Sequence, residues 1–281
     1  MRIMKIGVDC GATFIKAGLV TNNKIIKKVI LATQASKGKS VSLHNLLSSI
    51  QKLYIPSVKR IGIGFPAPVD TLRGRIGETN NIPGWKDVYL KRIIERKFHV
   101  PCTIDNDARC FTLAEFRYGA GKQVKNMVGI TLGTGVGMGI VINGQLYAGN
   151  TGAAGEISRV PYNGKNIENI ANIHFFKKIA RMNSQTVYEK LKTNNHKAKK
   201  IIKQFGVNLG IIISIVVDII DPELIVLGGG LSNLFPYFKK PMLVELKKHC
   251  FAESFKKLKI TRSTLKDVAI LGAASLDSNY G

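Results

Sequence analysis

The first part of the chain consists of short apolar runs typical of strands, with two segments of helical spacing between them. The runs Ile3–Val8, Phe14–Val20 and Lys24–Ala32 predict an antiparallel meander, and Asn22–Asn23 is a turn signal before the third run. In Ser40–Tyr54 apolar residues recur every three or four positions, which predicts a helix. The other predicted elements are a strand at Arg60–Gly64, a helix at Asp87–Phe98 and a strand at Pro101–Asp105. This alternation indicates a mixed α/β sheet.

The second part repeats the strand pattern and then becomes mainly helical. A helix from about Asp107 to Tyr118 is followed by strands at Met127–Leu132 and Gly137–Ile142, and Asn143–Gly144 is a hairpin signal before a strand at Gln145–Tyr147. The later predicted elements are helices near 167–181, 185–193, 195–220 and 235–250, strands at Leu224–Leu227 and Leu258–Thr261, and a closing helix at Asp267–Asp277. The length of 281 residues allows two packed lobes.

Two glycine-rich turns stand at equivalent places in the two parts. The first, Asp9–Thr13, lies between the first two predicted strands, and the second, Gly133–Gly135, lies between the strands that begin the second part. Glycine permits left-handed torsions and close approach of a ligand to the backbone. The N–H groups of such turns form a concavity suited to phosphate oxygens. Two such turns, one in each part, indicate a duplicated fold that binds a nucleotide tail.

The charge of the chain is unusual, with 42 basic and 18 acidic side chains and a formal net charge of +24. Such a field attracts nucleic acid, anionic lipid or polyphosphate. The lysines are spread along the chain, however, and no stretch interleaves them with the aromatic residues of a single-strand-binding surface. We therefore favour lysine-rich solvated faces and leave the alternative of an anionic partner open.

Other features of the sequence predict a cytoplasmic protein. The four cysteines form no Cys-x-x-Cys pair or cluster, which is typical of reduced thiols. The first residues lack a signal-peptide pattern. Leu209–Ile220 is strongly apolar but contains Asp218 and is about a dozen residues long, whereas a membrane span needs about 20. We expect a buried helix there and no membrane association.

Taken in order, these blocks resemble the ROK family of sugar kinases. The resemblance rests on six segments between residue 6 and residue 274: Asp9–Thr13, Asn81–Trp85, Asn106–Asp107, Leu132–Gly155, Leu227–Gly230 and Leu271–Ala274. It implies a two-lobed actin-like ATPase fold, which is ribonuclease H-like, with a cleft between the lobes. The expected lobes are residues 1–112, on the sugar and phosphate side, and 113–281, on the nucleotide side. The closing helix 267–277 is expected to pack back on the first lobe.

The resemblance implies a phosphoryl transfer from ATP and assigns its chemistry. Asp107 is the candidate general base, and the alternative is that it only caps the following helix. Asp9 is expected to hold Mg²⁺, through water because that ion dehydrates reluctantly, and the alternative is a turn residue at a strand end. The remaining expected nucleotide contacts are Gly11, Ala12, Thr13, Lys16, Gly133, Thr134, Gly135, Gly228, Gly229 and Gly230.

Sugar recognition requires donors and acceptors that face several hydroxyl groups. The residues expected to supply them are Asn81, Asn106, Glu156, Arg159 and Glu168. For Glu156 the alternative is an ordinary loop carboxylate, and for Glu168 an exposed helix residue.

The chain departs from many relatives after Glu156. Those relatives carry a histidine where this chain has Arg159, followed by a cysteine-rich knuckle that binds zinc. Residues 156–185 offer only His174 as a zinc ligand of the nitrogen or sulfur type, so we predict no zinc. Arginine is longer, permanently charged and fork-shaped. It could bond sugar hydroxyls, attract an acidic or phosphorylated substrate, or pair with a nearby carboxylate.

The leading hypothesis is an ATP- and Mg²⁺-dependent kinase of a hexose or hexose derivative, with glucose as the first candidate. The alternatives are a polyphosphate-dependent glucokinase-like enzyme and a catalytically inactive sugar-binding or regulatory protein. The family's repressors carry an N-terminal helix-turn-helix, and because this chain starts at the first hairpin we expect no DNA binding. The resemblance also implies a homodimer.

Overall fold

The computed structural model describes residues 3–77, 79 and 82–277. Two five-stranded sheets, each with its own helices, form the body of the molecule. The elements of the first half are β1 (Met4–Cys10), β2 (Phe14–Thr21), β3 (Lys24–Ala32), α1 (Lys39–Gln51), β4 (Val58–Phe65), β5 (Val69–Asp70), β6 (Arg75–Ile76), β7 (Val88–Tyr89), α2 (Leu90–Phe98), β8 (Cys102–Asn106) and α3 (Asp107–Tyr118).

The second half begins with three strands and ends mainly in helices. Its elements are β9 (Met127–Leu132), β10 (Val136–Ile142), β11 (Gln145–Tyr147), β12 (Pro161–Tyr162), β13 (Lys165–Asn166), α4 (Glu168–Ala171), α5 (Ile173–Ala180), α6 (Ser184–Lys192), α7 (His196–Ile220), β14 (Leu224–Gly228), α8 (Phe235–His249), α9 (Ala252–Lys257), β15 (Lys259–Arg262) and α10 (Val268–Ser275).

The two large sheets have the same strand arrangement. The first has the order β3-β2-β1-β4-β8, with β1 antiparallel to β2 and parallel to β4, and β4 parallel to β8. The second has the order β11-β10-β9-β14-β15, with β9 antiparallel to β10 and parallel to β14. In each sheet the glycine hairpin follows the carboxyl end of a central parallel strand. Ligands of open α/β sheets bind at this edge.

Helices α3 and α10 join the two halves through close backbone contacts. A Cβ atom on Gly7 or Gly62 would collide with the backbone of α10, and one on Gly272 would collide with the Cys110 carbonyl of α3. The glycines therefore let α10 lie directly on β1 and β4 while it also packs on α3. An interior packed this closely transmits small displacements between elements.

The long helix α7 forms the core of the second half. By length and composition alone it could cross a membrane, but most of its apolar window is buried, and Phe205 and Leu209 have no exposed surface. The Phe205 ring packs edge-on against Phe238 of α8, with 5.4 Å between ring centroids. The helix is therefore accounted for as core, with its apolar side covered by protein.

Several predicted elements are wrong in their limits. The helix expected at 167–181 is divided at Asn172, which is extended and whose Oδ1 accepts hydrogen bonds from the amides of His174 and Phe175, so that it starts a new helix. The helix expected from Asp87 begins at Leu90, because β7 pairs with β6. The sequence analysis missed α9, the small sheet β5–β7 and the β12–β13 hairpin, although Asn163–Gly164 carries the signal for that hairpin.

Candidate active site

The first glycine hairpin is fixed by hydrogen bonds to its backbone, and its tip is exposed. The Gly11 amide donates to the Phe14 carbonyl at 3.0 Å, and a Cβ on Gly11 would lie 2.9 Å from that oxygen. Fully buried Thr33 donates its hydroxyl to the Gly11 carbonyl at 2.6 Å and its amide to the Thr13 carbonyl at 2.9 Å. Ala12 and Thr13 at the tip are exposed. The turn is therefore a fixed, accessible backbone surface.

Asp9 and Lys16 face one another across this hairpin. They are cross-strand partners on β1 and β2, and Lys16 Nζ lies 3.8 Å from Asp9 Oδ2. Burial raises the pKa of Asp9, and the Lys16 charge opposes that rise. Only about a fifth of the Asp9 side chain is exposed, whereas Lys16 is half exposed. One carboxylate and one half-exposed cation thus lie beside the exposed turn.

Helix α3 is capped by the residue before Asp107 and not by Asp107 itself. Asn106 is the N-cap, and its Oδ1 accepts hydrogen bonds from the amides of Ala108 and Arg109 at 2.9 and 3.2 Å. Its Nδ2 donates to the Ala67 carbonyl at 3.3 Å. The alternative that Asp107 serves only as the cap is therefore wrong, because Asn106 has that role. The Asp107 Oδ1 accepts a hydrogen bond from the Ala108 amide at 2.8 Å.

Two carboxylates from distant parts of the chain, Asp9 and Glu156, lie near enough to Asp107 to act on its charge. Burial, then the charge of Asp9, and to a smaller extent that of Glu156, raise the pKa of Asp107 to about 6, against the lowering effect of the Ala108 amide. Like charges held close together disfavour ionisation, and so does burial. Asp107 therefore changes protonation just below neutral pH, the range that suits a general base.

The second hairpin is built like the first and carries Glu168 on its back. The Gly133 amide donates to the Gly135 carbonyl at 3.0 Å, and Thr134 at the tip is exposed. A Cβ on Gly133 would meet nothing within 4 Å, whereas one on Gly135 would lie 2.5 Å from Glu168 Oε1. A side chain on Gly135 would therefore displace the Glu168 carboxylate, the flexible end of that side chain, whereas Gly133 leaves room for a ligand.

Glu156 connects the predicted sugar residues to Asp107. Burial raises its pKa, as does the nearby charge of Glu168, while Arg159 and Arg109 lower it. Arg159 itself is exposed, at the end of the short 3₁₀ helix Ile157–Arg159. The structure therefore brings Glu156, Arg159 and Glu168 into one charged neighbourhood that reaches Asp107. Asn81, the remaining predicted sugar ligand, lies outside the described residues.

Asp105, two residues before Asp107, has a charged partner that was not predicted from the sequence. Asp105 is buried and accepts a hydrogen bond from Arg109 Nε at 2.5 Å, and Arg109 Nη2 contacts the same oxygen. Asp105 therefore forms an ion pair with Arg109 and is unsuited to share a proton with Asp107. The four-residue spacing at a helix start was the one local signal for this pair.

The three consecutive glycines 228–230, at the end of β14 and just after it, have different surroundings. A side chain on Gly228 would collide with the Phe111 ring, and one on Gly229, whose φ is 77°, would collide with the Leu132 carbonyl. A Cβ on Gly230 would meet nothing within 4 Å. Gly228 and Gly229 therefore serve close packing, while Gly230 is open to a ligand.

A pocket of about 360 Å³ lies beside Gly230. Residues distant in sequence line it, among them Ser184, Gln185, Tyr188, Asn233, Tyr237 and Arg262. The Tyr188 and Tyr237 rings stand edge to face with centroids 6.2 Å apart. The volume and the mixed aromatic and polar lining suit a small organic ligand. No local sequence signal marks these residues, because three separate segments supply them, at 184–188, 230–237 and 262.

The residues beside the first hairpin fit a nucleotide-bound Mg²⁺. Among the residues that the structure describes, no group of three histidine, cysteine, aspartate or glutamate side chains forms a protein-only metal site. Mg²⁺ in phosphoryl-transfer sites needs only one or two carboxylates, since phosphates and water complete its octahedron. The carboxylate of Asp9, next to an open turn, meets that requirement.

The duplicated sheets, each with a glycine hairpin at its carboxyl edge, define the actin-like ATPase fold, as the resemblance implied. Within that fold the chain belongs to the ROK family, which matches residues 5–168 and 162–279. The resemblance stated from the sequence is therefore confirmed.

The relatives of the chain include both kinases and regulators. It is 31% identical to a glucokinase of Halalkalibacterium halodurans, with 84% of this chain and 83% of the relative covered. It is also 25% identical to a xylose repressor of Caldicellulosiruptor bescii, over 95% of this chain and 75% of the repressor. A ROK hexokinase structure from Thermus thermophilus superposes with a TM-score of 0.81 at 25% identity, covering 98% and 97% of the two chains. Family membership therefore supports a sugar-kinase role, and the reaction has to be inferred from the residues of the site.

Proposed function

We propose that this protein is a kinase that transfers the γ-phosphoryl group of ATP, with Mg²⁺, to a hydroxyl group of a hexose or hexose derivative, with glucose as the first candidate. The observation that carries the proposal is the convergence of Asp107, Asp9 and Glu156 beside the open first hairpin. A carboxylate whose pKa is raised to about 6 by burial and by neighbouring carboxylates is typical of functional sites and suits a general base.

In this mechanism Asp107 accepts the proton of the attacking sugar hydroxyl. At neutral pH the Asp107 carboxyl is ionised in most molecules, because its pKa is about 6. Its N1 position, with Asn106 as the cap, fixes the carboxylate at the carboxyl end of β8. When bound, Mg²⁺ supplies positive charge to the phosphate oxygens, and Asp9 is the residue that would hold it through water.

The two hairpins and the pocket would bind different parts of the nucleotide. The turns at Ala12–Thr13 and Gly133–Thr134, in which Ala12, Thr13 and Thr134 are exposed, would bind phosphate oxygens through their amides and hydroxyls. The pocket beside Gly230 would take the nucleoside, with Tyr188 and Tyr237 as aromatic surface. Phosphoryl transfer depends mainly on such positioning and on charge stabilisation, since little covalent chemistry falls to the protein.

On the sugar side, Glu156 and Glu168 supply acceptors, and Arg159 supplies donors. The Glu156 carboxylate lies near enough to Asp107 to influence its pKa, so a sugar held by Glu156 would place a hydroxyl close to the base. A site that satisfies sugar hydroxyls discriminates against analogues that lack them, because its own polar groups would be left unpaired.

The test is ADP release and sugar-phosphate formation by purified protein, across a panel of hexoses and N-acetylhexosamines. ATP with Mg²⁺ and polyphosphate would be offered as separate donors. Sugar-dependent turnover with ATP is the expected result. Turnover with polyphosphate alone would reassign the donor. Sugar binding by calorimetry without turnover from either donor would refute the kinase assignment in favour of a regulatory role.

A further inference from the structure

Arg109 is a fully buried cation one turn into α3, and it joins three segments of the chain. Its Nε donates to Asp105 Oδ1 at 2.5 Å, which ties α3 to the end of β8. Its Nη1 donates to the carbonyls of Gly152 at 2.8 Å and Ala148 at 3.3 Å. Both carbonyls belong to the loop 148–156, which follows β11 in the second half of the chain.

The same loop is pressed against the first half from another side. Gly152 has a φ of 79°, and a Cβ there would collide with the Val69 carbonyl of β5. Gly155, with a φ of 93°, lies against the backbone of Met138 in β10. The loop is therefore fixed to β5 and to Arg109 at one end and to β10 at the other, and Glu156 follows immediately.

We propose that Arg109 is a positioning residue, which with Asp105 fixes the loop 148–156 to the first half of the molecule so that Glu156 faces Asp107. This inference rests on the proposed function in so far as Glu156 binds the sugar. The Arg109 charge also acts on Glu156 directly, since it lowers the pKa of that carboxyl.

The chemistry of the site requires an arginine. A guanidinium presents donors in a planar fork, so that one edge meets the Asp105 carboxylate while Nη1 reaches the loop carbonyls. Lysine has a single nitrogen and cannot span these acceptors. Removing only one partner of a buried pair leaves an uncompensated charge, whereas replacing both with apolar residues of similar volume is often tolerated.

The test compares the single variant Arg109→Lys and the double variant Asp105→Leu/Arg109→Met with the wild-type protein. We expect the KM for sugar to rise by about 10- to 100-fold, as for a misplaced substrate-binding group. The KM for ATP should change by less than about threefold, because the side-chain hydrogen bonds of Arg109 go to Asp105, Ala148 and Gly152 and not to either hairpin. Hydrogen exchange of amides 148–156 should accelerate by about tenfold or more, as for local release of a loop.

Lys28→Met is the matched control, because Lys28 pairs with Asp267 at 2.9 Å across sequence-distant segments away from the loop. It should alter neither the sugar KM nor exchange at 148–156. A purely structural role for Arg109 would lower the melting temperature alone. A folded double variant with wild-type sugar KM and wild-type exchange at 148–156 would overturn the proposal.

Hydrogen exchange also tests the anchoring of the loop independently of kinase activity. If the wild-type protein phosphorylates no sugar, faster exchange confined to 148–156 in the variants would still support the anchoring of the loop. Unchanged exchange in a folded variant would overturn it, whatever the activity.

Discussion

Asp107→Asn is expected to stabilise the protein at neutral pH while it lowers turnover by orders of magnitude. The folded structure raises the pKa of Asp107 from 3.8 to about 6, through burial and then through the charge of Asp9. Asparagine is neutral, similar in shape, and retains an oxygen that can accept the Ala108 amide hydrogen. The substitution therefore removes a charge that folding disfavours and leaves the cap at Asn106 unchanged.

The magnitude follows from linkage between protonation and folding. Between the two pKa values the folded protein binds the proton more tightly than the unfolded chain, so the free energy of unfolding falls as the pH rises. The rise of the Asp107 pKa from 3.8 to about 6 corresponds to about 3 kcal/mol of the free energy of unfolding. This contribution is present when Asp107 is protonated in both states, and it is lost above about pH 6. The variant should therefore be more stable than the wild type by up to about 3 kcal/mol at pH 7.5, and by less than about 1 kcal/mol near pH 4.

Urea unfolding at these two pH values measures the difference, and a sugar-kinase assay at pH 7.5 measures turnover. The expected loss of kcat is about 10²- to 10⁴-fold, as for removal of a general base. Glu245→Gln is a control of opposite sign, since Lys248 and His249 lower the pKa of Glu245. The Glu245→Gln substitution should not increase the free energy of unfolding at pH 7.5, and the variant should retain activity. A less stable Asp107→Asn protein at pH 7.5, or one with most of its turnover, would refute this account of Asp107.

Three further predictions test other parts of the site. The kcat/KM for sugar should fall below about pH 6 as Asp107 is protonated, and Asp9→Asn should move that fall to lower pH because it removes a like charge; a pH–rate series checks both. Gly229→Ala should lower the melting temperature, since its φ is 77° and a Cβ would strike the Leu132 carbonyl, whereas Gly230→Ala should fold normally and raise the KM for ATP by about tenfold or more. Equal melting temperatures would contradict that contrast. Arg159→Ala should change the relative KM values across a sugar panel by about tenfold, and an unchanged ranking would mean that Arg159 does not touch the sugar.

Much of the fold was predictable because its signals are local. The helix Asp107–Tyr118 and the strands Met127–Leu132 and Gln145–Tyr147 have the limits that their periodicity predicted. The two glycine hairpins were also evident, since their residues are adjacent in sequence. The division of the helix at Asn172 was missed, because apolar spacing continues across it and only the side-chain cap reveals the break.

The candidate site was predictable residue by residue, but its connections were not. The family resemblance named Asp107, Asp9 and Glu156, and their mutual effect on pKa appears only in the folded molecule. The contact of Glu168 with Gly135 and the pocket beside Gly230 were likewise hidden, because distant segments form them. The role of Arg109 had only the weak signal of its spacing from Asp105.

The sequence by itself determined the strands of the two large sheets, most helices, the two glycine-rich turns and the family. These features depend on periodicity, on backbone torsions and on short motifs, all of which act over a few residues. Only the tertiary structure decided that Asp107 is partly buried beside two other carboxylates, that Asp105 is neutralised by Arg109, and that the loop 148–156 is tied to the first half of the chain. Desolvation and Coulomb interactions depend on distance through space, and no local pattern in the chain records that distance.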